Sequence, residues 1–220
     1  LVRLSVLALV STRHQYDHLF DIYVPIALGV FGAIVLAILY AVVRYRLRPP
    51  EKAARWHEHH LLEGTYALAL VLTVAFLLYE TFSTEHRIDT VANHERPATT
   101  IDVIASRWEW TFYYPQYHIT IRSGSTGNNA FVVPAGEAVR FNLSTADVIH
   151  AFWLPGLRYK HDNTPGSTQP ATLTFDHLGT YPGQCAEYCG LNHSEMVFTA
   201  RAVSASRFAA WGASGGKTAP

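Results

Sequence analysis

The chain has 220 residues, 49% of them hydrophobic, with 17 acidic and 17 basic side chains and a formal net charge of zero. That length accommodates one core of about 120 residues plus membrane segments. A formal net charge of zero suggests no nucleic-acid partner.

In chain order, Leu1 to Val10 is apolar like the end of a signal segment. No methionine precedes it, so cleavage, a fragment and an unusual start codon all stay open, and residues 1–20 stand apart as an N-terminal segment. Ile22 to Val43 is almost wholly apolar and uncharged between Asp21 and Arg44. At about 1.5 Å per residue it crosses a hydrocarbon core of roughly 30 Å, which predicts a transmembrane helix. Leu61 to Phe82 predicts a second, with Glu63 and Glu80 near its ends, where charges reach the interface. Between them lie Arg44, Arg46, Arg48, Lys52 and Arg55 against Glu51 and Glu58. The positive-inside rule places this loop in the cytoplasm. The hairpin over residues 21–83 then sends everything after residue 83 to the opposite side, the periplasm or exterior of a bacterium.

From about residue 98 the period changes. Short β-branched or aromatic runs cover Thr99 to Ala105, Trp108 to Tyr114, Tyr117 to Arg122, Ala130 to Val133, Glu137 to Leu143, Val148 to Leu154, Ala171 to Phe175 and Val197 to Val203. Turn signals such as Ser123-Gly124, Pro134-Ala-Gly136 and Pro165-Gly166 separate them. Many short strands at this spacing predict a β sandwich or barrel, here an extracytoplasmic domain over residues 84–205. The tail over residues 206–220, with its Gly-Ala-Ser-Gly-Gly stretch, reads as flexible surface chain.

The chemistry concentrates in Cys185-Ala-Glu-Tyr-Cys189-Gly-Leu-Asn-His193-Ser-Glu-Met196, which holds both cysteines and the single methionine of the chain. Thiolate, imidazole and thioether are the donor set that suits redox-active copper, with a weak axial thioether tuning the potential. The best candidate for a further ligand is His150, in Asp147-Val-Ile-His-Ala-Phe-Trp-Leu-Pro155, on a strand entering a buried sheet. A mononuclear blue site needs one cysteine, whereas two thiolates can bridge a copper pair, each copper taking one histidine and one weak ligand. Two competing readings are weaker. A disulfide is the common use of two cysteines outside the cytoplasm, but it does not call for His193 and Met196 at those spacings. Structural zinc favours CxxC knuckles and has no use for a thioether.

These features resemble subunit II of the haem-copper cytochrome c oxidases, over roughly residues 20–205. The resemblance implies a two-helix transmembrane hairpin followed by an all-β cupredoxin-like Greek-key barrel. It also implies a mixed-valence dinuclear copper centre, CuA, with Cys185 and Cys189 bridging and His150 and His193 each ligating one copper. Met196 and the backbone carbonyl of Glu187 would be the weak ligands. The Glu187 side chain would reach a Mg²⁺ shared with the catalytic subunit. In Arg107-Trp108-Glu109-Trp110-Thr-Phe-Tyr-Tyr-Pro115, Trp108 would receive electrons from the donor. Aromatic strand runs are usually core, and alternation puts Trp108, Trp110 and Phe112 on one face, with Trp110 inside and Trp108 reaching the surface near the strand end. Glu63 would stand at the mouth of a proton-uptake path, or be a plain interfacial glutamate. The chain departs from the family pattern at Tyr66, usually tryptophan, at His161, usually apolar or small, and at Ser167, usually arginine.

The implied role is electron transfer in a bacterial inner membrane, from cytochrome c or an equivalent donor to haem in the catalytic subunit I, where O2 is reduced to water and protons are pumped. Subunit III is a further implied partner. No Cys-x-x-Cys-His marks a fused cytochrome. Residues 86–205 carry ten acids and eight bases, a weak field for steering a basic cytochrome. The alternatives are the CuA subunit of a nitric oxide reductase and a membrane-tethered copper-delivery protein. Quinol oxidase subunits lack the copper ligands present here, and a mononuclear blue-copper carrier needs only one cysteine.

Overall fold

The computed structural model describes residues 12–46, 58–94, 96–125 and 127–218. The signal-like Leu1 to Val10 and the loop residues Arg48, Glu51, Lys52 and Arg55 lie outside the described residues. Two long helices come first, α1 (Thr12–Tyr45) and α2 (His60–His94). Both are long and apolar enough to cross a membrane. Their apolar side chains face outward, with Phe31, Leu36 and Leu72 at 66%, 68% and 61% exposure, a surface suited to lipid rather than water. Tyr23 ties the pair together: its hydroxyl donates to the Leu77 carbonyl at 2.9 Å and pairs with the Thr81 hydroxyl at 2.5 Å. Such a polar link between helices replaces water that an apolar solvent cannot supply.

The helices outrun the apolar stretches that announced them, so the boundaries expected at residues 20 and 84 fall inside α1 and α2. An apolar run measures what a bilayer needs, whereas a helix continues until something stops it. No glycine or proline occurs between Phe82 and His94, and Pro97 follows shortly after. Contacts divide the chain into two compact units, Asp17–His86 and the remainder.

The second unit is built from β1 (Thr99–Ser106), β2 (Glu109–Tyr114), β3 (Ile119–Gly124), β4 (Gly127–Asn128), β5 (Ala130–Pro134), β6 (Ala138–Thr145), β7 (His150–Leu154), β8 (Tyr159–Asn163), β9 (Gln169–Thr174), β10 (Gly179–Cys185) and β11 (Val197–Val203). They form two sheets, ordered β4-β3-β2-β1-β6-β9 and β5-β11-β10-β7-β8. Pairing is antiparallel except for β1 with β6 and β5 with β11, the long crossovers of a Greek-key barrel. Alternation sends one face of each strand inward: Ile101, Val103 and Ala105 on β1 and Trp110, Phe112 and Tyr114 on β2 are all fully buried. Phe152 and Phe198 stack across the second sheet with ring centroids 4.7 Å apart. Each large side chain buried this way contributes about 1.5–3 kcal/mol.

Two substantial strands carry no alternating signal. β8 is a charged edge strand containing Lys160, His161 and Asp162. β10 is interrupted by Pro182 and Gly183. Gly183 is nevertheless required, because the Phe198 ring lies on its backbone where a side chain would collide. The tail expected to be flexible over residues 206–220 is corrected by a helix, α3 (Ala205–Ala213). Ser204 caps it, accepting from the Arg207 N–H at 3.4 Å. Phe208 and Trp211, one helical turn apart, are buried, packing on Tyr117 and Tyr114. The glycine-rich stretch masked that aromatic pair.

Candidate metal centre

Strands β10 and β11 pair up to Gln184 and Val197, and the chain between them is the cysteine loop. Its ends are held side by side by the Cys185 N–H, which donates to the Met196 carbonyl at 2.9 Å. A short 3-10 turn over His193–Glu195 folds the loop back: the His193 N–H donates to Gly190 O at 3.2 Å, and the Met196 N–H to His193 O at 3.2 Å. His150 opens β7, which meets the end of β10 through the pair Cys185 and Phe152. The start of an interior strand and a self-closed loop therefore supply the donors from both sides.

All six donors expected from the sequence come together. Cys185 Sγ lies 3.7 Å from His150 Nδ1, 3.9 Å from Cys189 Sγ and 3.2 Å from the Glu187 carbonyl oxygen. Cys189 Sγ lies 3.6 Å from His193 Nδ1 and 3.8 Å from Met196 Sδ. The ligand atoms of His150, Cys185 and Cys189 fall within 4.8 Å of one another, and His193 joins through Cys189. Both cysteines are free and buried, and Met196 is fully buried. Two thiols, two imidazoles, a thioether and a carbonyl make a soft-to-borderline set that fits copper.

The surroundings fix these donors. Trp110, fully buried, donates its indole N–H to the Met196 carbonyl at 3.2 Å and sets its ring 6.3 Å from that of His150. Asp147 holds the far nitrogen of His150, with Nε2 to Oδ1 at 2.9 Å, which leaves Nδ1 directed at Cys185. Asp147 also accepts from the backbone N–H of Arg107 at 2.8 Å and of Val148 at 2.7 Å. Neither Asp147 nor Trp110 stands out in the sequence as a site residue; the signal for Asp147 is a carboxylate three residues ahead of a candidate ligand.

Electrostatics separates the two thiols. Burial opposes ionisation of Cys185, but hydrogen bonds from His150 and the backbone outweigh it and bring the thiol down to about 7. Burial and the neighbouring Cys185 sulfur push Cys189 up to about 12. Burial also works against the Asp147 carboxylate, yet its hydrogen bonds to His150, Arg107 and Val148 prevail and hold it at about 2. A carboxyl depressed below its ordinary 3.8 contributes stability above that value and loses it as pH falls toward about 2. The metal-free chain is therefore expected to weaken across that acid window, and Asp147→Asn to blunt the loss, as denaturant midpoints against pH would show. The same substitution is expected to lower metal affinity about 10–100-fold, read by chelator competition.

The other residues singled out from the sequence lie as follows. Trp108 is half-buried beside Gly190 in the cysteine loop. The Glu187 side chain is exposed. Glu63 sits in the first turn of α2, where its carboxylate accepts from the His59 N–H at 3.0 Å and stands 4.0 Å from His60 Nδ1.

Residues 99–203 match the family described as cytochrome c oxidase subunit II, periplasmic domain. Cytochrome c oxidase subunit 2 of Yarrowia lipolytica is 31% identical over 175 residues, covering 68% of this chain and 69% of the relative. The chain belongs to the cytochrome c oxidase subunit II family. Among solved structures, it resembles the periplasmic domain of subunit II of cytochrome oxidase (CoxB) of Bradyrhizobium japonicum, with 31% identity, a TM-score of 0.52, and 56% of this chain and 96% of that one covered. A second similar structure is a mixed disulfide intermediate between a thioredoxin-like protein and subunit II of cytochrome c oxidase, with 30% identity, a TM-score of 0.50, and 56% and 94% covered. The fold is thus a helical hairpin followed by the family's cupredoxin-like domain. The family implies copper binding, an oxidoreductase complex and a membrane-anchored protein whose β domain is periplasmic.

Proposed function

We propose that this subunit II accepts electrons from cytochrome c or an equivalent donor at a dinuclear CuA centre and passes them to haem in the catalytic subunit I, which reduces O2 to water. The observation that carries this reading is the pairing of each sulfur with its own imidazole while the sulfurs sit 3.9 Å apart. A single ion would draw both imidazoles to one point, whereas two half-sites sharing their thiolates match the arrangement. Cys185 and Cys189 would bridge, His150 and His193 would each complete one half, and Met196 Sδ and the Glu187 carbonyl would be the weak ligands. When bound, the copper pair supplies one-electron exchange.

The chain's own residues make that exchange fast. Burial of Cys185, Cys189, His150 and Met196 excludes water, and the strand ends and Asp147 fix the donors before any metal arrives. Little reorganisation is then needed when charge changes. Trp108 would be the entry point for electrons, and the exposed Glu187 carboxylate would meet a Mg²⁺ at the boundary with subunit I. Glu63 would offer a proton-accepting carboxylate at the start of α2. The hairpin would span a bacterial inner membrane, with subunit III as a further partner. The free thiols are close enough to oxidise to a disulfide, and that disulfide would have to be reduced by two electrons before loading, a task that suits a thioredoxin-like dithiol, which would itself leave as a disulfide.

Copper quantification with electron paramagnetic resonance on the full chain tests the reading. Two coppers per chain and a spectrum split by two equivalent nuclei are expected. One copper with a four-line signal, or a chain that binds no copper while Cys185 and Cys189 are held reduced, would overturn it.

A further inference from the structure

We infer that Gly190 is the positioning residue that couples Trp108 to the metal loop, an inference that rests on the electron-entry reading above. Trp108 lies between β1 and β2, and its backbone is fixed where its carbonyl accepts from the Ser125 N–H at 3.1 Å. Its indole is placed differently. The Nε1 atom is buried with no hydrogen-bond partner among the described residues. A buried donor without an acceptor is costly, so polar attraction does not hold the ring where it is. Packing does: a β-carbon at Gly190 would stand 3.2 Å from Cζ2, 3.4 Å from Nε1 and 3.6 Å from Cε2 of Trp108. The ring therefore rests on the bare backbone of Gly190.

Two features make glycine necessary at this position. Its φ of +120° is a conformation that side chains disfavour, and the space a side chain would need is already occupied by the indole. Gly190 is bonded directly to Cys189. From the indole edge there is one van der Waals step to Gly190, and from there every link to Cys189 Sγ is covalent. Tunnelling decays much more steeply through space than through bonds, so that single gap sets the coupling between the indole and the loop. In the step, one electron leaves a reduced one-electron carrier protein, which is oxidised by one charge, and the oxidised metal loop gains it. No bond forms or breaks and no proton moves.

The test uses the full chain in its assembled oxidase, with Gly190→Ala, Trp108→Leu and the double variant. Copper content, the paramagnetic spectrum and flash-induced electron injection from a soluble donor are measured on each. Fluorine NMR of the copper-free, fluorotryptophan-labelled chain adds a readout independent of activity, with Trp108 assigned by its loss in Trp108→Leu. Gly190→Ala is expected to keep both coppers and their spectrum, to shift the Trp108 resonance and to slow electron entry several-fold. Onward transfer to haem should be unchanged, and Gly190→Ala should cause no further slowing in the Trp108→Leu background. Unslowed entry, equal slowing in both backgrounds, an unmoved resonance or loss of copper would each overturn the role assigned to Gly190. If Trp108→Leu alone leaves entry unslowed, the electron-entry reading itself fails; if it slows entry while Gly190→Ala does not, only the present inference fails.

Discussion

Cys189→Ser is expected to abolish the proposed dinuclear centre, lowering copper from the two per chain expected to one or none and removing the split paramagnetic signal expected of the native chain. Electron transfer to haem should fall to background. The reason lies in the geometry: Cys189 Sγ is within 3.9 Å of Cys185 Sγ, His193 Nδ1 and Met196 Sδ alike, so in the proposed centre it would belong to both halves. A serine hydroxyl is a hard donor that stays protonated near neutrality and does not bridge copper. Cys185→Ser should behave the same way, because that sulfur faces Cys189, His150 and the Glu187 carbonyl. Uptake in the native chain should release more than one proton per site at neutral pH. Cys189, raised by burial and the neighbouring sulfur, must give up its proton to bind, and Cys185, lowered by its hydrogen bonds, gives up its own more readily. Metal analysis and a pH-stat titration check both statements. A Cys189→Ser chain that kept two coppers and a split spectrum would show that the bridge lies elsewhere.

Trp110→Ala should cost about 3–5 kcal/mol of stability, the range for removing a fully buried aromatic side chain. Trp110 is at 0% exposure, with its ring 5.2 Å from Phe198 and 5.6 Å from Phe152. The substitution also removes the indole N–H that holds the Met196 carbonyl and the ring that backs His150. Copper affinity should therefore fall beyond what lost stability alone would produce. Phe112→Ala is the control, since Phe112 is equally buried and stacks on Phe131 at 4.1 Å. Chemical denaturation and chelator competition on the two variants separate the effects. Equal losses of copper affinity would reduce Trp110 to a core residue, and a stability loss near the 0.5 kcal/mol of a surface change would show that the pocket closes around the gap.

Much of the site was legible in the sequence because its donors are local. Cys185, Cys189, His193 and Met196 lie within one loop, and their residue types limit the chemistry wherever the loop ends up. His150 stood out by its company on a strand. Asp147, Trp110 and Gly190 were not legible as parts of the site. A carboxylate on a turn and a tryptophan in an aromatic strand are ordinary residues until distant backbone brings them against a ligand, and a glycine beside a cysteine is ordinary until the Trp108 ring packs on it. Asp147 reaches Arg107 across 40 residues of chain, and Trp110 reaches Met196 across 86.

The sequence by itself determined the two apolar helices, the alternating strands such as β1, β2 and β11, and the set of candidate metal donors, since periodicity and side-chain chemistry act over a few residues. Tertiary structure alone decided that β8 and β10 are strands, that the tail forms α3, and that each sulfur meets its own imidazole. A charged edge strand, a strand broken by proline and glycine, and a short capped helix become stable only when neighbours far along the chain satisfy their backbone groups and cover their apolar faces.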